Sequence, residues 1–273
     1  MTTQIPRILW QTYKSTSLLP PECMPCIHSW TAQNPIWEYR FCTDNDMEAF
    51  FGDFFPPAML DLYSSMPLGV MKADLWRYAV LYEFGGVYSD IDTVCLEPIE
   101  AWLDVATCAG LQLACERDRV HFCQWTIAAA PRHPALARVL ELIGERVRAD
   151  GGVDESKPHY VHYYTGPGVW TDAIRQYLGS GAPPPEIRST PGLWRDRGIE
   201  IHPGDFFDGT KVKHLNASYH WRDSPSGYSS WQYERKDAGK MIMPRPIEST
   251  LSLSSWTGSE ETTRDRPGTS QGH

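Results

Sequence analysis

The chain has 273 residues, and its 34 acidic and 25 basic side chains give a formal net charge of −9. This length can bury a full core, either as one large α/β domain or as two small ones. The negative charge argues against a nucleic-acid partner, because such partners select basic surfaces. The seven cysteines are an odd number with irregular spacing, which argues against a disulfide framework.

Predicted strands and helices alternate from the N-terminus to about residue 215. In chain order, the predicted elements are a strand at 5–13, a helix at 20–30, a strand at 37–42, helices at 44–51 and 69–84, strands at 87–91, 105–114 and 122–130, helices at 134–149 and 168–178, and strands at 199–202 and 211–215. Asp44 is the predicted N-cap of the second helix. The alternation predicts an α/β sandwich with a mostly parallel central sheet flanked by helices.

The two ends of the chain carry different signals. The N-terminus leads directly into the first strand, without a basic start, a long hydrophobic run or a cleavage site. The longest weakly charged run, at 101–115, contains Asp104 and is too short to span a bilayer. These features predict a soluble chain that is not secreted. Residues 244–273 are rich in Ser, Thr, Gly and charge, which predicts a disordered low-complexity tail.

The helix predicted at 69–84 carries an acid and a base on one face. Asp74 and Arg77 stand at positions i and i+3, so their side chains are neighbours. They form either a surface ion pair, which stabilises a helix by roughly 0.2–0.5 kcal/mol, or a face on which Arg77 contacts phosphate or sugar hydroxyls. The two residues by themselves leave both interpretations open.

Two carboxylates stand where the strand predicted at 87–91 ends. Asp90 and Asp92 are at positions i and i+2, which point the same way at the end of a strand. Like charges this close are unfavourable unless a cation lies between them. Oxygen ligands suit Mg²⁺ or Mn²⁺, and these cations in turn suit a phosphate-bearing substrate.

The block at 72–98 resembles the sugar-binding region of glycosyltransferase family 32. Members of that family carry a Lys-x-Asp-x-x-Arg-Tyr helix, a Gly-Gly turn and an Asp-x-Asp metal motif, and all three occur here. The segments at 5–14 and 29–46 are similar to the family's first strand and to the helix and strand that follow it. The segments at 122–134 and 165–172 are more similar to one branch, the fungal initiating α-1,6-mannosyltransferases.

The resemblance implies a metal-dependent, retaining transferase that uses a nucleotide sugar. It implies a Rossmann-like fold of the glycosyltransferase A type, with residues 1–243 as the catalytic domain. By position, Asp92 would bind the metal directly, and Asp90 would bind ribose and support the metal. Asp74 and Arg77 would hold the donor sugar and phosphate.

Further site residues follow from the same resemblance. Tyr13 falls where relatives often place a Trp against the nucleotide base, and Trp10 is close by. Gln124 and Asp172 lie in matching blocks and are candidates for lining the reactive face of the sugar.

A third metal ligand is expected near the C-terminal end of the matched region. Val212, Lys213 and His214 match the start of the family's Val-x-His motif, but the next residues depart from it by one position. That offset leaves His214 and His220 as alternative ligands, with His214 preferred.

The branch resemblance favours Mn²⁺ or Mg²⁺ as cofactor and GDP-mannose over UDP-galactose or UDP-glucose as donor. The acceptor stays open among a glycan, a lipid and a small molecule. Relatives in this branch are Golgi enzymes with an N-terminal membrane anchor. The lack of such an anchor in this sequence points instead to a cytoplasmic location, so the location stays open.

Two other functions fit parts of the sequence. Asp90 and Asp92 also match the first motif of haloacid-dehalogenase-like phosphatases, as nucleophile and acid/base, with Asp205 and Asp208 as a later acidic motif. That family normally has this motif on its first strand, whereas here a long segment precedes it. The other alternative is a non-catalytic sugar-nucleotide binder, which would need the same pocket without an acceptor site.

Overall fold

The computed structural model describes residues 4–104, 110–116, 120–179 and 194–215. His220 and the tail predicted at 244–273 lie outside these described residues, as does the first half of the strand predicted at 105–114. Within the described residues, one central sheet is covered on both faces by helices and loops.

The described residues contain nine strands, seven of which form the central sheet. The strands are β1 (Ile8–Thr12), β2 (Glu38–Cys42), β3 (Gly86–Ser89), β4 (Thr93–Cys95), β5 (Leu111–Ala114), β6 (Thr126–Ala129), β7 (Trp194–Asp196), β8 (Ile199–His202) and β9 (Val212–His214). The order across the sheet is β2-β1-β3-β6-β5-β8-β7, and β4 pairs with β9 separately.

Seven α-helices accompany these strands in the described residues. The helices are α1 (Met24–Gln33), α2 (Asp44–Phe54), α3 (Pro57–Ser64), α4 (Gly69–Phe84), α5 (Pro134–Ala149), α6 (Tyr160–Tyr164) and α7 (Pro167–Leu178). The α/β class predicted from the alternation is confirmed.

The central sheet is mixed, whereas the sequence predicted a mostly parallel one. The pairs β1–β2, β1–β3 and β5–β8 are parallel, but β3–β6, β5–β6 and β7–β8 are antiparallel. β5 and β6 are joined by residues 115–125, which are too few for the helical crossover that a parallel pair needs. β7 and β8 form a hairpin through Arg197 and Gly198, which both have positive φ, at 47° and 79°.

Among these α-helices and strands, four were not predicted, namely α3, β4, α6 and β7. All four are short, and short segments carry few repeats of any hydrophobic period. The predicted N-cap of α2 is also one residue off. Thr43 is the N-cap, because its hydroxyl accepts from the backbone N–H of Asp46, whose carboxylate accepts in turn from the backbone of Thr43.

Helix α4 runs through the middle of the protein and is buried on every side from Asp74 to Phe84. On one face of the sheet, Trp76 of this helix packs in a cluster with other large aromatic residues such as Trp10 and Trp170. The opposite face is covered by a second cluster that includes Trp30 and Trp102. Charged residues in the middle of α4 are therefore interior residues, which matters for the site that follows it.

The turn from α4 into β3 depends on two glycines. Gly85 has φ 68° and ψ −163°, and Gly86 has φ 105°. Only glycine adopts such values without strain. A Cβ added at Gly85 would lie 2.7 Å from the carbonyl oxygen of Ala129, which leaves no room for a side chain.

We expect Gly85→Ala to lower the free energy of unfolding by about 2–4 kcal/mol, through backbone strain and this contact together. Gly151→Ala is the matched control, because Gly151 has φ 72° and nothing within 4 Å of the added Cβ. Strain alone should cost the control about 1–2 kcal/mol. Urea denaturation measures both, and equal losses would show that the contact with Ala129 does not matter.

Within the part of the chain that the structure describes, no helix has the length and apolar character needed to cross a bilayer. The Golgi location that the resemblance implies stays a prediction.

Candidate functional site

Asp90 and Asp92 lie in the tight turn that joins β3 to β4. β3 ends at Ser89, two residues before its predicted end. The chain then reverses, because Thr93 donates its backbone N–H and its hydroxyl to the carbonyl oxygen of Asp90, at 3.2 and 2.6 Å. The side-chain amide of Gln11 in β1 donates to the same oxygen at 3.1 Å. The two acids therefore stand on a turn that is anchored to the central sheet.

His214 reaches this turn through the pairing of β4 with β9. The antiparallel register places Thr93 opposite His214. The backbone N–H of Leu215 also donates to the carbonyl oxygen of Asp92, at 3.0 Å. As a result, Nε2 of His214 lies 3.2 Å from Oδ1 of Asp92.

Asp90, Asp92 and His214 form a set that fits a divalent cation. One ligand atom from each side chain lies within 4.8 Å of the other two. Ligands on opposite sides of an octahedral Mg²⁺ are about 4.2 Å apart, twice the metal–oxygen distance of ~2.1 Å. Small side-chain rotations therefore suffice for all three to share one cation. In residues 4–104, 110–116, 120–179 and 194–215, no other three histidine, cysteine or acidic side chains offer such a group.

The electrostatics of the three residues also fit a cation. Burial raises the pKa of Asp90, the charge of Arg77 opposes this shift, and the charge of Asp92 adds to it. Burial alone would lower the pKa of His214, but its hydrogen bond to Asp92 and the charges of Asp92 and Asp90 raise the pKa instead. A bound cation would relieve the repulsion between the two carboxylates.

Behind the turn lies a buried ion pair on α4. Nη2 of Arg77 is 3.0 Å from Oδ1 of Asp74 and 3.2 Å from Oδ1 of Asp90. The guanidinium also stacks over the ring of Tyr88, with 4.8 Å between its central carbon and the ring centre. Asp74 is 1% exposed and Arg77 is 4% exposed. The interpretation of Asp74 and Arg77 as a surface ion pair is therefore wrong, and the pair connects the interior to Asp90.

Gln124 is part of the same network. Its backbone carbonyl accepts from Nη1 of Arg77 at 3.1 Å, and its side-chain Nε2 donates to Oδ1 of Asp74 at 3.3 Å. Its Oε1 accepts from the hydroxyl of Tyr78. The other carboxylate oxygen of Asp74 accepts from the hydroxyl of Thr165 at 3.0 Å. Burial raises the pKa of Asp74 to about 6, while Arg77 and the hydrogen bonds of Thr165 and Gln124 oppose that shift.

Two residues predicted for the site lie elsewhere. Trp10 is fully buried in the core, where its indole N–H donates to the carbonyl oxygen of Gly85 at 2.9 Å. It cannot reach a nucleotide, so its predicted role in donor binding is wrong. Asp172 contacts Arg146 of α5 at 2.6 Å, and its side chain is 46% exposed. Its carboxylate therefore faces the neighbouring helix and is not part of the network around Asp74.

The predictions for Tyr13 and His220 stay predictions. Tyr13 follows the last residue of β1, at the sheet edge that also carries Asp90, and is half-buried. It stays the predicted contact for the nucleotide base. His220 lies outside the described residues, so the preference for His214 as metal ligand rests on the geometry of His214 itself.

Two residues beside the cluster were not predicted. The hydroxyl of Tyr88 donates to Oδ1 of Asp90 at 2.6 Å. The ring of Trp125 stacks on His214, with 4.9 Å between ring centres and 17° between planes. Tyr88 stands two residues before Asp90, and Trp125 follows Gln124 directly. Both residues lie in segments that resemble the family, and this position is the sequence signal by which they could have been found.

Comparisons with known proteins agree with this geometry. Residues 20–108 match the family model described as a glycosyltransferase sugar-binding region containing a DXD motif. The initiation-specific alpha-1,6-mannosyltransferase of Schizosaccharomyces pombe is 35% identical over 195 residues, which cover 64% of this chain and 49% of that protein. Inositol phosphoceramide mannosyltransferase 1 of the same organism is 28% identical over 140 residues, covering 50% of this chain and 42% of that protein. The chain thus spans about half the length of these curated relatives.

A solved structure supports the fold. The PaToxG glycosyltransferase superposes with a TM-score of 0.50 and 17% identity, covering 64% of this chain and 70% of that one. At this identity the likeness concerns the fold alone, and it agrees with the mixed α/β sheet described above. Through residues 20–108, the chain is similar to the glycosyltransferases whose sugar-binding region contains a DXD motif.

Proposed function

We propose that this chain is a metal-dependent, retaining glycosyltransferase that moves a hexose from a nucleotide sugar to a hydroxyl acceptor. The observation that carries the proposal is the meeting of Asp90, Asp92 and His214 in front of Arg77. A diphosphate needs positive charge, and a cation held by this set would stand next to a buried guanidinium. We place the catalytic domain within residues 1–243.

Each side chain of the cluster has a proposed role. Asp92 and His214 would hold the cation, and Asp90 would support it and bind the ribose. A bound divalent cation neutralises the diphosphate and stabilises the leaving nucleoside diphosphate. Arg77 adds a fixed positive charge behind Asp90, and its burial keeps that charge effective because little water screens it. Mn²⁺ suits the imidazole better than Mg²⁺ does.

The reacting sugar would lie on the side of Arg77 where Gln124 is found. Gln124 is half-buried, and its hydrogen bonds to Tyr78 and Asp74 fix the orientation of its amide. We propose that it lines the reactive face of the donor sugar. A fixed amide at that face would orient the sugar and limit the access of water, which competes with the acceptor.

Mannose from GDP-mannose is the proposed donor. Its support is that the relatives described above are named as mannosyltransferases. For the acceptor, the relative with the longer and more identical match is named for an initiation-specific alpha-1,6 linkage, and the other is named for an inositol phosphoceramide. We therefore propose a glycan acceptor, with a lipid headgroup as the alternative that an acceptor panel would test.

The two other functions considered for the sequence have less support. A phosphatase of the haloacid dehalogenase type would bring Asp205 and Asp208 to Asp90. In the part of the chain that the structure describes, the group of potential metal ligands at Asp90 includes His214 and neither of these acids. A non-catalytic binder would use the same metal cluster, and only turnover separates it from an enzyme.

We expect the purified protein to release GDP from GDP-mannose in the presence of Mn²⁺ or Mg²⁺. Release should stop in excess EDTA and return when Mn²⁺ is restored, because the cation balances the charge of the diphosphate. The measurement is nucleoside diphosphate release from GDP-mannose, UDP-galactose and UDP-glucose. Full turnover in EDTA would contradict the metal dependence, a preference for a UDP-sugar would contradict the donor, and donor binding without release would favour the non-catalytic binder.

A further inference from the structure

The carboxylate of Asp74 is enclosed by the protein. It is 1% exposed, and both of its carboxylate oxygens are occupied within the protein. Oδ1 contacts Arg77 at 3.0 Å and accepts from Gln124 at 3.3 Å, while Oδ2 accepts from Thr165 at 3.0 Å. The buried carboxylate therefore orients the two residues that lie closest to the proposed donor sugar, and it does so from behind them.

Thr165 is the group that completes this arrangement. It is fully buried between α6 and α7, and its backbone N–H donates to the carbonyl oxygen of Val161 at 3.0 Å. Its own carbonyl lies 3.1 Å from the hydroxyl of Tyr78, whose single proton is shared between this carbonyl and Oε1 of Gln124. One threonine thus contacts both Asp74 and the tyrosine that holds Gln124.

The segment around Thr165 has little freedom to move. A Cβ on the following residue, Gly166, would lie 2.9 Å from Cα of His162, and Pro167 begins α7. The indole N–H of Trp170 donates to the carbonyl of Cys123 at 3.1 Å, which fixes α7 to the segment that carries Gln124. The position of the Thr165 hydroxyl is therefore set by the backbone and not by a flexible loop.

We infer that Thr165 is a positioning residue of the donor site. It acts through Asp74 on Arg77 and Gln124, and through Tyr78 on Gln124 again. This inference rests on the proposed function and deepens it, because it gives Asp74 the task of supporting Arg77 and Gln124 from within the protein. It also makes the junction between α6 and α7 part of the catalytic machinery, although no residue of that junction touches the metal cluster.

The test compares Thr165→Val with Thr165→Ser. Valine keeps the volume but leaves Oδ2 of Asp74 without its donor, whereas serine keeps the hydroxyl. For the valine variant we expect kcat/KM for the donor to fall by about 10- to 100-fold, the loss typical of a hydrogen bond to a charged group. The fall should lie mainly in kcat, with the Mn²⁺ concentration for half-maximal activity unchanged. The serine variant should recover to within about 3-fold of the wild type, since it retains the same bond.

Thr171→Val is the matched control. Thr171 is also buried, and its hydroxyl accepts from the backbone N–H of Phe122 at 2.8 Å, outside the Asp74 network. The thermal stability of the Thr171→Val variant should fall about as much as that of Thr165→Val. Its kcat/KM per folded molecule should stay near the wild-type value. Equal kinetic losses in the two valine variants would overturn the inference and leave Thr165 a structural residue.

Two further outcomes are decisive. If Thr165→Val does not fold, Tyr78→Phe serves in its place, because it removes the hydroxyl between Thr165 and Gln124 but keeps the stacking of the ring on Trp170, at 5.2 Å. Normal kcat/KM in that variant would overturn the inference. If the wild-type protein turns over no nucleotide sugar, the proposed function fails and the inference falls with it. If the wild type turns over the donor and Thr165→Val has a normal kcat/KM, the inference fails while the proposed function stands.

Discussion

Asp92→Asn should reduce donor turnover by more than about 100-fold. Replacement of a residue that merely supports a metal ligand typically lowers metal affinity or activity by about 10- to 100-fold. Replacement of a direct ligand should therefore lower turnover further. The fold should survive, because asparagine has the shape of aspartate and the turn is held by the backbone N–H and hydroxyl of Thr93, which donate to the carbonyl oxygen of Asp90. Removal of one of two neighbouring negative charges can even stabilise the metal-free protein.

The measurements are GDP release and the midpoint of thermal unfolding. Asp205→Asn is the matched control, since Asp205 is an exposed acid outside the cluster. It should behave as wild type, and a large loss of activity there would revive the phosphatase alternative. If Asp92→Asn unfolds at a much lower temperature while its folded fraction stays active, Asp92 is a structural residue.

His214→Ala should raise the Mn²⁺ concentration for half-maximal activity by about 10- to 100-fold. The imidazole is the one nitrogen ligand of the set, and β9 holds it 3.2 Å from Asp92. His220→Ala should keep the wild-type metal dependence and change mainly the affinity for donor or acceptor. The reverse result, with a normal metal dependence for His214→Ala, would place the third ligand at His220.

The fluorescence of Trp125 offers a measurement of Mn²⁺ binding that needs no turnover. Its ring stacks on His214 at 4.9 Å, so paramagnetic Mn²⁺ bound at the cluster should quench its fluorescence. The signal of Trp125 is the difference between the wild type and Trp125→Phe. Quenching should require the higher Mn²⁺ concentration in His214→Ala, and unchanged quenching there would contradict its role as a ligand.

The elements that the sequence determined by itself are those with a long hydrophobic period and clear ends. α4 and α5 have the predicted bounds: α5 repeats its apolar pattern over four turns, α4 is apolar on nearly every side, and both stop near glycines. β8 also has its predicted bounds. The acid pair was also readable, since Asp90 and Asp92 are separated by one residue and follow an apolar strand.

Tertiary structure alone decided the groups that meet across long distances. His214 reaches Asp92 only because β4 pairs with β9, and β4 is too short to be recognised from its pattern. Trp10 looked available to a nucleotide, but packing on Phe84 buries it. Thr165 and Asp74 are far apart in the sequence, and burial at α4 turns their contact into a support for Arg77. The reason is physical: local patterns set helices and turns, whereas the partners of a buried polar group depend on how distant segments pack.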